Sequence, residues 1–315
     1  MMPLISVVIP AYNSENTIGA TVRSVLSQTI EDFEIIVIND GSQDGTLEQL
    51  NEISDARLTV LSYKNSGVAV SRNRGIAAAK GEYIAFLDAD DLWVPEKLAC
   101  QYQALENVST AAVAYSWTDY IDDEGSFLRS GMRPSFRGNV YQKLLTSNFL
   151  ECGSNPLVRR SALQHVGGFD QELPPSEDWD MWLRLAKSYE FVLVPLPQVL
   201  YRISTTSASF NLEKHETSKI KALEKAFKEA PPEAYLLKRQ CMSNFYRYLT
   251  FKALDTSIDS ISNRHRGFLA ARYFWLSLSH YPRVIREPKI MLSTLLKIFS
   301  LVIMQKSLNA SKSQT

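Results

Sequence analysis

Between Leu4 and Leu87, apolar runs alternate with stretches of helical periodicity through short connections, and that alternation allows few folds. Residues 4–9 are nearly continuous in apolar side chains, the pattern of a strand covered on both faces, and Pro10 is expected to end it. The stretch NSENTIGATVRSVLSQ then sets Ile18, Val22, Val25 and Leu26 on one helical face, with Asn13 or Ser14 as its N-cap. FEIIVIND, the turn GSQDG, a short helix over 46–53, RLTVLSY, the helix GVAVSRNRGIAAAK closed by Gly81, and a fourth strand over 83–87 continue the series. Strands and helices alternating in this way give β-α-β crossovers, so the class is α/β, a mostly parallel central sheet flanked by helices. Sheets of this kind bind ligands beyond the carboxyl ends of their strands. Polar residues gather at those ends: Tyr12 and Asn13 after the first strand, Asp40 after the second, Asp88 and Asp90 after the fourth. They are expected to face one crevice.

After Trp93 the alternation weakens. Pro95 suits the first position of a helix running to about residue 107, and AAVAYSWTDYID, NPLVRR and FVLVP read as strands, with SALQHVGGF and the helix SEDWDMWLRLAKS among them. Beyond Asn211 only helices are expected, broken at Pro231 and Pro232, which divides the chain into 1–210 and a helical C-terminal extension, 211–315. Within that extension PKIMLSTLLKIFSLVIMQK is apolar but shorter than the roughly 20 residues a spanning helix needs. Two placements are open to it: flat on a membrane with its lysines at the headgroups, or packed on the protein.

Basic and acidic side chains balance at 34 each, which argues against a nucleic-acid partner, because that affinity rests on excess positive charge. Cys100, Cys152 and Cys241 fall in no ligand or disulfide spacing and fit a reducing cytoplasm. MMPLISVVIP lacks the basic start and cleavage site of an export signal and reads as the first strand.

The fourth strand ends in DADD, with like charges at Asp88, Asp90 and Asp91. Such a D-x-D pair suits a hard divalent cation, Mn²⁺ or Mg²⁺, whose remaining ligands are phosphate oxygens. The plainer explanation is that Asp90 or Asp91 caps the next helix. Likewise Asp40 is explained by a turn or cap, and Arg72 by a solvated surface charge. Together they point to a nucleotide-like anion, with a carboxylate for base or ribose, a guanidinium for phosphate or for orienting Asp40, and a metal across a diphosphate. In PPSEDWDMW, Ser176 suits an N-cap, and Glu177, Asp178 and Asp180 suit the first turn of a helix. Trp182 is expected in the core, while Trp179 is open to core or sugar-stacking roles.

SVVIPAYNSENTI, EIIVINDGSQDGT, GVAVSRNRGIAAAKGEYIAFLDADD, VRRSALQHVGGFDQEL and SEDWDMWLRL resemble, in order and spacing, the motifs of family-two inverting glycosyltransferases of the GT-A fold. The resemblance spans about residues 4–205. It implies a GT-A-like fold and a donor site of Pro10, Ala11, Tyr12, Asn13, Asp40, Arg72 and Asp88, with Tyr12 stacking on the base, Asp88 on the ribose side and the metal at Asp90. It also implies Asp178 of the Glu177–Asp178 pair as catalytic base, and Arg202, in YRISTTSAS, where relatives carry a His-containing loop that closes on the diphosphate. The implied reaction is inverting transfer of a hexosyl or N-acetylhexosaminyl group, from a nucleotide-diphosphate sugar such as a UDP-sugar to a glycan or lipid-linked glycan, at the inner face of the membrane. A haloacid-dehalogenase-like phosphatase with Asp88 as nucleophile is the alternative. A dinucleotide-binding dehydrogenase is disfavoured, since no G-x-G-x-x-G follows the first strand.

Overall fold

The computed structural model describes residues 2–203, 211–255, 262–282 and 288–303, so the expectations for 204–209 and for the C-terminal tail lie outside the described residues. The chain begins with β1 (Ile5–Ala11), α1 (Ile18–Leu26), β2 (Phe33–Asn39), α2 (Thr46–Asn51), β3 (Leu58–Ser62), α3 (Val68–Ala78) and β4 (Tyr83–Phe86), strand and helix in turn. β1 pairs in parallel with β2 and β4, and β3 adds to β2 in parallel. Its apolar run is covered on both faces, with Ile5, Val7, Val8 and Ile9 fully buried. Each such side chain contributes about 1.5–3 kcal/mol relative to exposure.

Pro10 does not end β1, for it lies within the strand opposite Ile38. Pairing with β4 stops at Val8, so beyond it β1 has an open edge where a missing N–H is tolerated. Neither Asn13 nor Ser14 caps α1; Thr17 precedes the helix. Asn13, at φ 50°, instead accepts the Gln43 N–H on its side-chain oxygen, and Ser14 N–H donates to Thr46 Oγ1. These bonds tie the loop after β1 to the loop after β2. α3 lies close against β1, as its small residues imply. A Cβ on Gly75 would stand 2.1 Å from Val8 Cγ1, so a larger residue would push the helix off the sheet.

Next come β5 (Leu92–Trp93), α4 (Lys97–Glu106), β6 (Ala111–Ile121), β7 (Phe127–Ser130), α5 (Tyr141–Thr146), β8 (Leu157–Arg159), α6 (Arg160–Val166), α7 (Glu177–Ser188) and β9 (Glu190–Arg202). The sheet runs β3-β2-β1-β4-β8-β6-β9-β5, with β7 beside β6. β8 lies antiparallel between β4 and β6, and β6 runs parallel to β9. α4 starts at Lys97 rather than Pro95, after a turn in which Lys97 N–H donates to Val94 O. β5, β7 and α5 are not expected from the sequence pattern. β5 is two residues long and β7 is exposed throughout, so neither carries an apolar period.

The chain divides into two compact units, Met1–Leu144 with Asn148–Ser204, and Leu145–Ser147 with Thr205–Thr315. The first contains the whole sheet. The second contains α8 (Leu212–Lys228), α9 (Pro232–Tyr235), α10 (Lys238–Ala253), α11 (Asn263–His280) and α12 (Pro288–Ile303), and no strand among its described residues. Its core joins Leu212, Leu249, Ala270, Tyr273 and Ile298. The three cysteines are free thiols.

Candidate active site

The three carboxylates that leave β4 meet three different surroundings. Asp91 is fully buried. It accepts the Ser154 hydroxyl on Oδ2 and the Arg202 N–H on Oδ1, which clips the loop to β9 and to the turn around Ser154. Burial, followed by the charges of Asp90 and Asp88, pushes its pKa well above the usual carboxylate range. It does not cap the next helix, which Glu96 precedes. Arg202 Nε donates to Asp90 O at 2.8 Å, while among the described residues no side chain donates to the Asp90 carboxylate. Burial, followed by the neighbouring Asp88 charge, pushes that carboxyl up to about 6.

Asp90 therefore fits the cation expected of it. Among the described residues, no three His, Cys, Asp or Glu side chains are grouped to hold a metal alone. A carboxylate short of donors beside a like charge is nonetheless relieved by a divalent ion whose other ligands are phosphate oxygens and water.

Arg72 joins this corner to α7. It is buried rather than solvated, with Nη2 donating to Asp88 Oδ1 at 2.5 Å and Nη1 to Glu177 Oε1 at 2.7 Å. Burial opposes its charge, but Asp88 and Glu177 outweigh burial and hold its pKa above the ordinary guanidinium value. The guanidinium also lies 5.3 Å from the Phe169 ring centroid. Asn73 fixes Phe169 by accepting its N–H and donating to its carbonyl, and this explains VGGF: a Cβ on Gly168 would stand 2.6 Å from Asn73 Oδ1.

The acids of SEDWD separate by environment. Glu177 is buried, its Oε2 has no hydrogen-bond partner among the described residues, and burial pushes it up to about 7, with Arg72 opposing and Asp178 adding to the shift. Asp178 is only partly buried, and its Oδ1 accepts the Trp179 N–H at 2.6 Å. Asp180 is buried and accepts from Arg184, whose other nitrogens hold the carbonyls of Val166, Gly167 and Gly168. Ser176 stands at the N-cap position, but its hydroxyl makes no hydrogen bond among the described residues. Trp179 and Trp182 are both core, the first donating from Nε1 to Leu144 O.

Asp40 forms a second corner. Its carboxylate accepts the N–H groups of Ser66 and Gly67, at 3.0 and 2.7 Å, and Arg74 Nη1 at 3.2 Å. Arg74, not Arg72, thus orients Asp40, because residues two apart on a helix point to opposite sides. Pro10 and Ala11 are buried at the end of β1, Tyr12 is half exposed, and Asn13 is exposed.

Arg202, which the resemblance sets near the diphosphate, makes hydrogen bonds to three backbone carbonyls. Besides Asp90 O, its Nη1 serves the carbonyls of Asp122 and Asp123 at 2.7 and 2.6 Å. It thereby ties the backbone at Asp90 to the loop after β6.

Several contributors carry no signal in the sequence. Ser154 holds Asp91 and accepts the Asp88 N–H. Gly153 makes room for the ion pair, since a Cβ there would stand 2.6 Å from Arg72 Nη2. Lys97 is fully buried, 4.0 Å from the Trp93 ring centroid, and burial lowers its pKa to about 7. Only the small residues of ECGSNP hint at close packing.

A family model described as "Glycosyltransferase like family 2" matches residues 6–253. UDP-Glc:alpha-D-GlcNAc-diphosphoundecaprenol beta-1,3-glucosyltransferase WfaP of Escherichia coli is 35% identical over 216 residues, 67% of this chain and 81% of that protein. An uncharacterized glycosyltransferase of Rickettsia bellii is 37% identical over 185 residues, 58% of this chain, which thereby spans only 26% of that longer protein. Among solved structures, the mannosyltransferase PcManGT of Pyrobaculum calidifontis, in complex with GDP-Man and Mn²⁺, superposes with a TM-score of 0.59 at 16% identity, covering 97% of this chain and 88% of that one. That likeness is one of fold, and it is the GT-A-like α/β fold expected from the motifs.

Proposed function

This chain belongs to the glycosyltransferase like family 2, and on that premise we propose that it transfers a hexosyl or N-acetylhexosaminyl group from a UDP-sugar to a hydroxyl of a lipid-linked glycan, with inversion. One observation carries the reading: a single buried guanidinium, Arg72, holds Asp88 of the acidic corner and Glu177, the neighbour of the partly open Asp178. Donor diphosphate and acceptor base then belong to one connected site. WfaP supports the donor and acceptor classes through its own donor and undecaprenol-linked acceptor.

In this mechanism Asp178 takes the acceptor hydroxyl proton as the acceptor oxygen bonds to the anomeric carbon and the opposite bond, to the donor's diphosphate, breaks. UDP departs with that bond's electrons. Asp90 would hold a divalent cation, which when bound would supply Lewis-acid neutralisation of the diphosphate in place of a general acid. Glu177, anchored by Arg72, keeps Asp178 at the first turn of α7. Tyr12 stacks on the base over the loop that Asp40 pins, with Pro10, Ala11 and Asn13 shaping that wall. The phosphatase alternative is not supported: the family match is to a transferase, and Asp88 is engaged in an ion pair rather than presented as a nucleophile.

Thermal denaturation with UDP-glucose tests the reading, because a ligand bound only by the native state raises the midpoint. The midpoint is expected to rise with UDP-glucose and Mn²⁺ together and little with either alone, and Asp90→Asn is expected to abolish the Mn²⁺-dependent part. An equal rise in Asp90→Asn would remove the metal assignment.

A further inference from the structure

The second unit exposes an apolar stripe where a helix on a soluble surface should be polar. On α12, Leu292, Leu295, Leu296 and Phe299 are 59%, 45%, 60% and 63% exposed, at the i, i+3, i+4, i+7 spacing of a single helical face. The same helix turns Thr294 and Ile298 inward and meets α11 closely, since a Cβ on Gly267 would stand 2.7 Å from Val302 Cγ2. The stripe is therefore not the face used for packing. α11 adds Phe268 and Trp275, 53% and 70% exposed.

Charge identifies the occupant. From Ser260 to Thr315 the sequence carries nine Lys and Arg against one acid, Glu287, so this segment is strongly basic within a chain whose 34 basic and 34 acidic residues balance only as a whole. Two copies of so basic a region repel when apposed, which disfavours a second copy of this chain. An anionic surface attracts it. No helix among the described residues is long and apolar enough to cross a membrane. Leu and Phe on one face of α12, with Lys289 and Lys297 exposed on the same helix, is the composition of a helix lying in the headgroup region, where lysine stems run along apolar surface and their ammonium groups reach water.

We propose that the exposed stripe of α12, with Phe268 and Trp275 of α11, docks this protein on an anionic lipid bilayer. The inference deepens the reading above by giving a lipid-linked acceptor a surface on which to be met, and it stands on observations separate from the transfer site.

The test is co-sedimentation of the full chain with phosphatidylcholine vesicles containing or lacking phosphatidylglycerol, at low and high salt. Binding is expected to phosphatidylglycerol vesicles, weaker at high salt and weaker still to phosphatidylcholine alone. Leu296→Gln with Phe299→Gln should reduce it at least about tenfold, because each removes buried apolar area, and Lys289→Glu with Lys297→Glu should erase the preference for the anionic lipid. Because these side chains are exposed, the variants should retain the wild-type circular dichroism and wild-type hydrolysis of UDP-glucose in the absence of vesicles. Absence of vesicle binding, or binding indifferent to the Gln pair, overturns the proposal. So does a dimer in sedimentation velocity that the Gln pair dissociates, which would give the stripe to a second copy. Loss of UDP-glucose hydrolysis in the wild type, with vesicle binding intact, would count instead against the transferase reading.

Discussion

Asp40 and Asp90 both follow buried parallel strands, yet Asp40 is surrounded by donors and Asp90 by acids. Two backbone N–H groups and Arg74 enclose Asp40. Asp90 has Asp88 and Asp91 as neighbours, and its carboxyl is pushed up to about 6. The contrast extends to α7, where Asp180 is matched by Arg184 while Glu177 shares Arg72 with Asp88 and keeps one oxygen unpaired. Carboxylates that frame the site are satisfied by the chain itself. Asp90 and Glu177 instead sit where burial and like charges push their pKa values up, and such local conflict is where function is expected to reside.

Removing the base should have the largest effect. Asp178→Asn is expected to lower transfer about 10³-fold while UDP-glucose and Mn²⁺ still raise its unfolding midpoint; turnover near wild type would take Asp178 out of the reaction. Arg72→Met comes next. It leaves Asp88 and Glu177 facing each other without a cation, at a cost of about 3 kcal/mol in urea unfolding near pH 8, and less near pH 6, where Glu177 takes up a proton. A variant equally stable at both pH values would mean that the pair is not charge-starved.

The third prediction concerns pH. Glu177 has a folded pKa of about 7 against an ordinary 4.5. The folded chain therefore holds a proton that the unfolded chain releases between those values, and stability falls as pH rises across that window. Relative to wild type, Glu177→Gln should gain about 1–3 kcal/mol between about pH 5 and 8. Lys97, lowered to about 7, acts with the opposite sign and only above that pH. A flat difference would show Glu177 to be fully compensated by Arg72. The smallest effect is expected at Asp40, where Asn keeps one acceptor for the Ser66 and Gly67 N–H groups: about 1 kcal/mol of stability, with transfer reduced by less than about tenfold. Should Asp40→Asn abolish transfer in a stable protein, the division between framing and reacting carboxylates fails.

The sequence made the acidic corner legible because three like charges after a buried strand conflict with strand propensity and with one another. It also placed Arg72 in the site, for phosphate or for orienting Asp40, but did not show its pairing with Asp88 and Glu177. Its partner Glu177 lies 105 residues away, and nothing in either segment names the other. The contacts of Arg202 were illegible for a similar reason: a lone Arg after a strand shows its charge, while the three carbonyls it meets come from two distant loops. Gly153 and Ser154 were silent because small residues signal close packing without saying against what.

Periodicity and punctuation in the sequence thus determined the alternating strands and helices, the helical C-terminal region, and the strand ends where carboxylates collect. Local spacing encodes each of these, since an apolar run or a 3.6-residue period has its meaning within one element. Tertiary structure alone decided which acid meets which base, which remain unpaired, and which apolar face of α12 stays in the open. Those are contacts between segments far apart in the chain, and their energies depend on burial and neighbours that no short window contains.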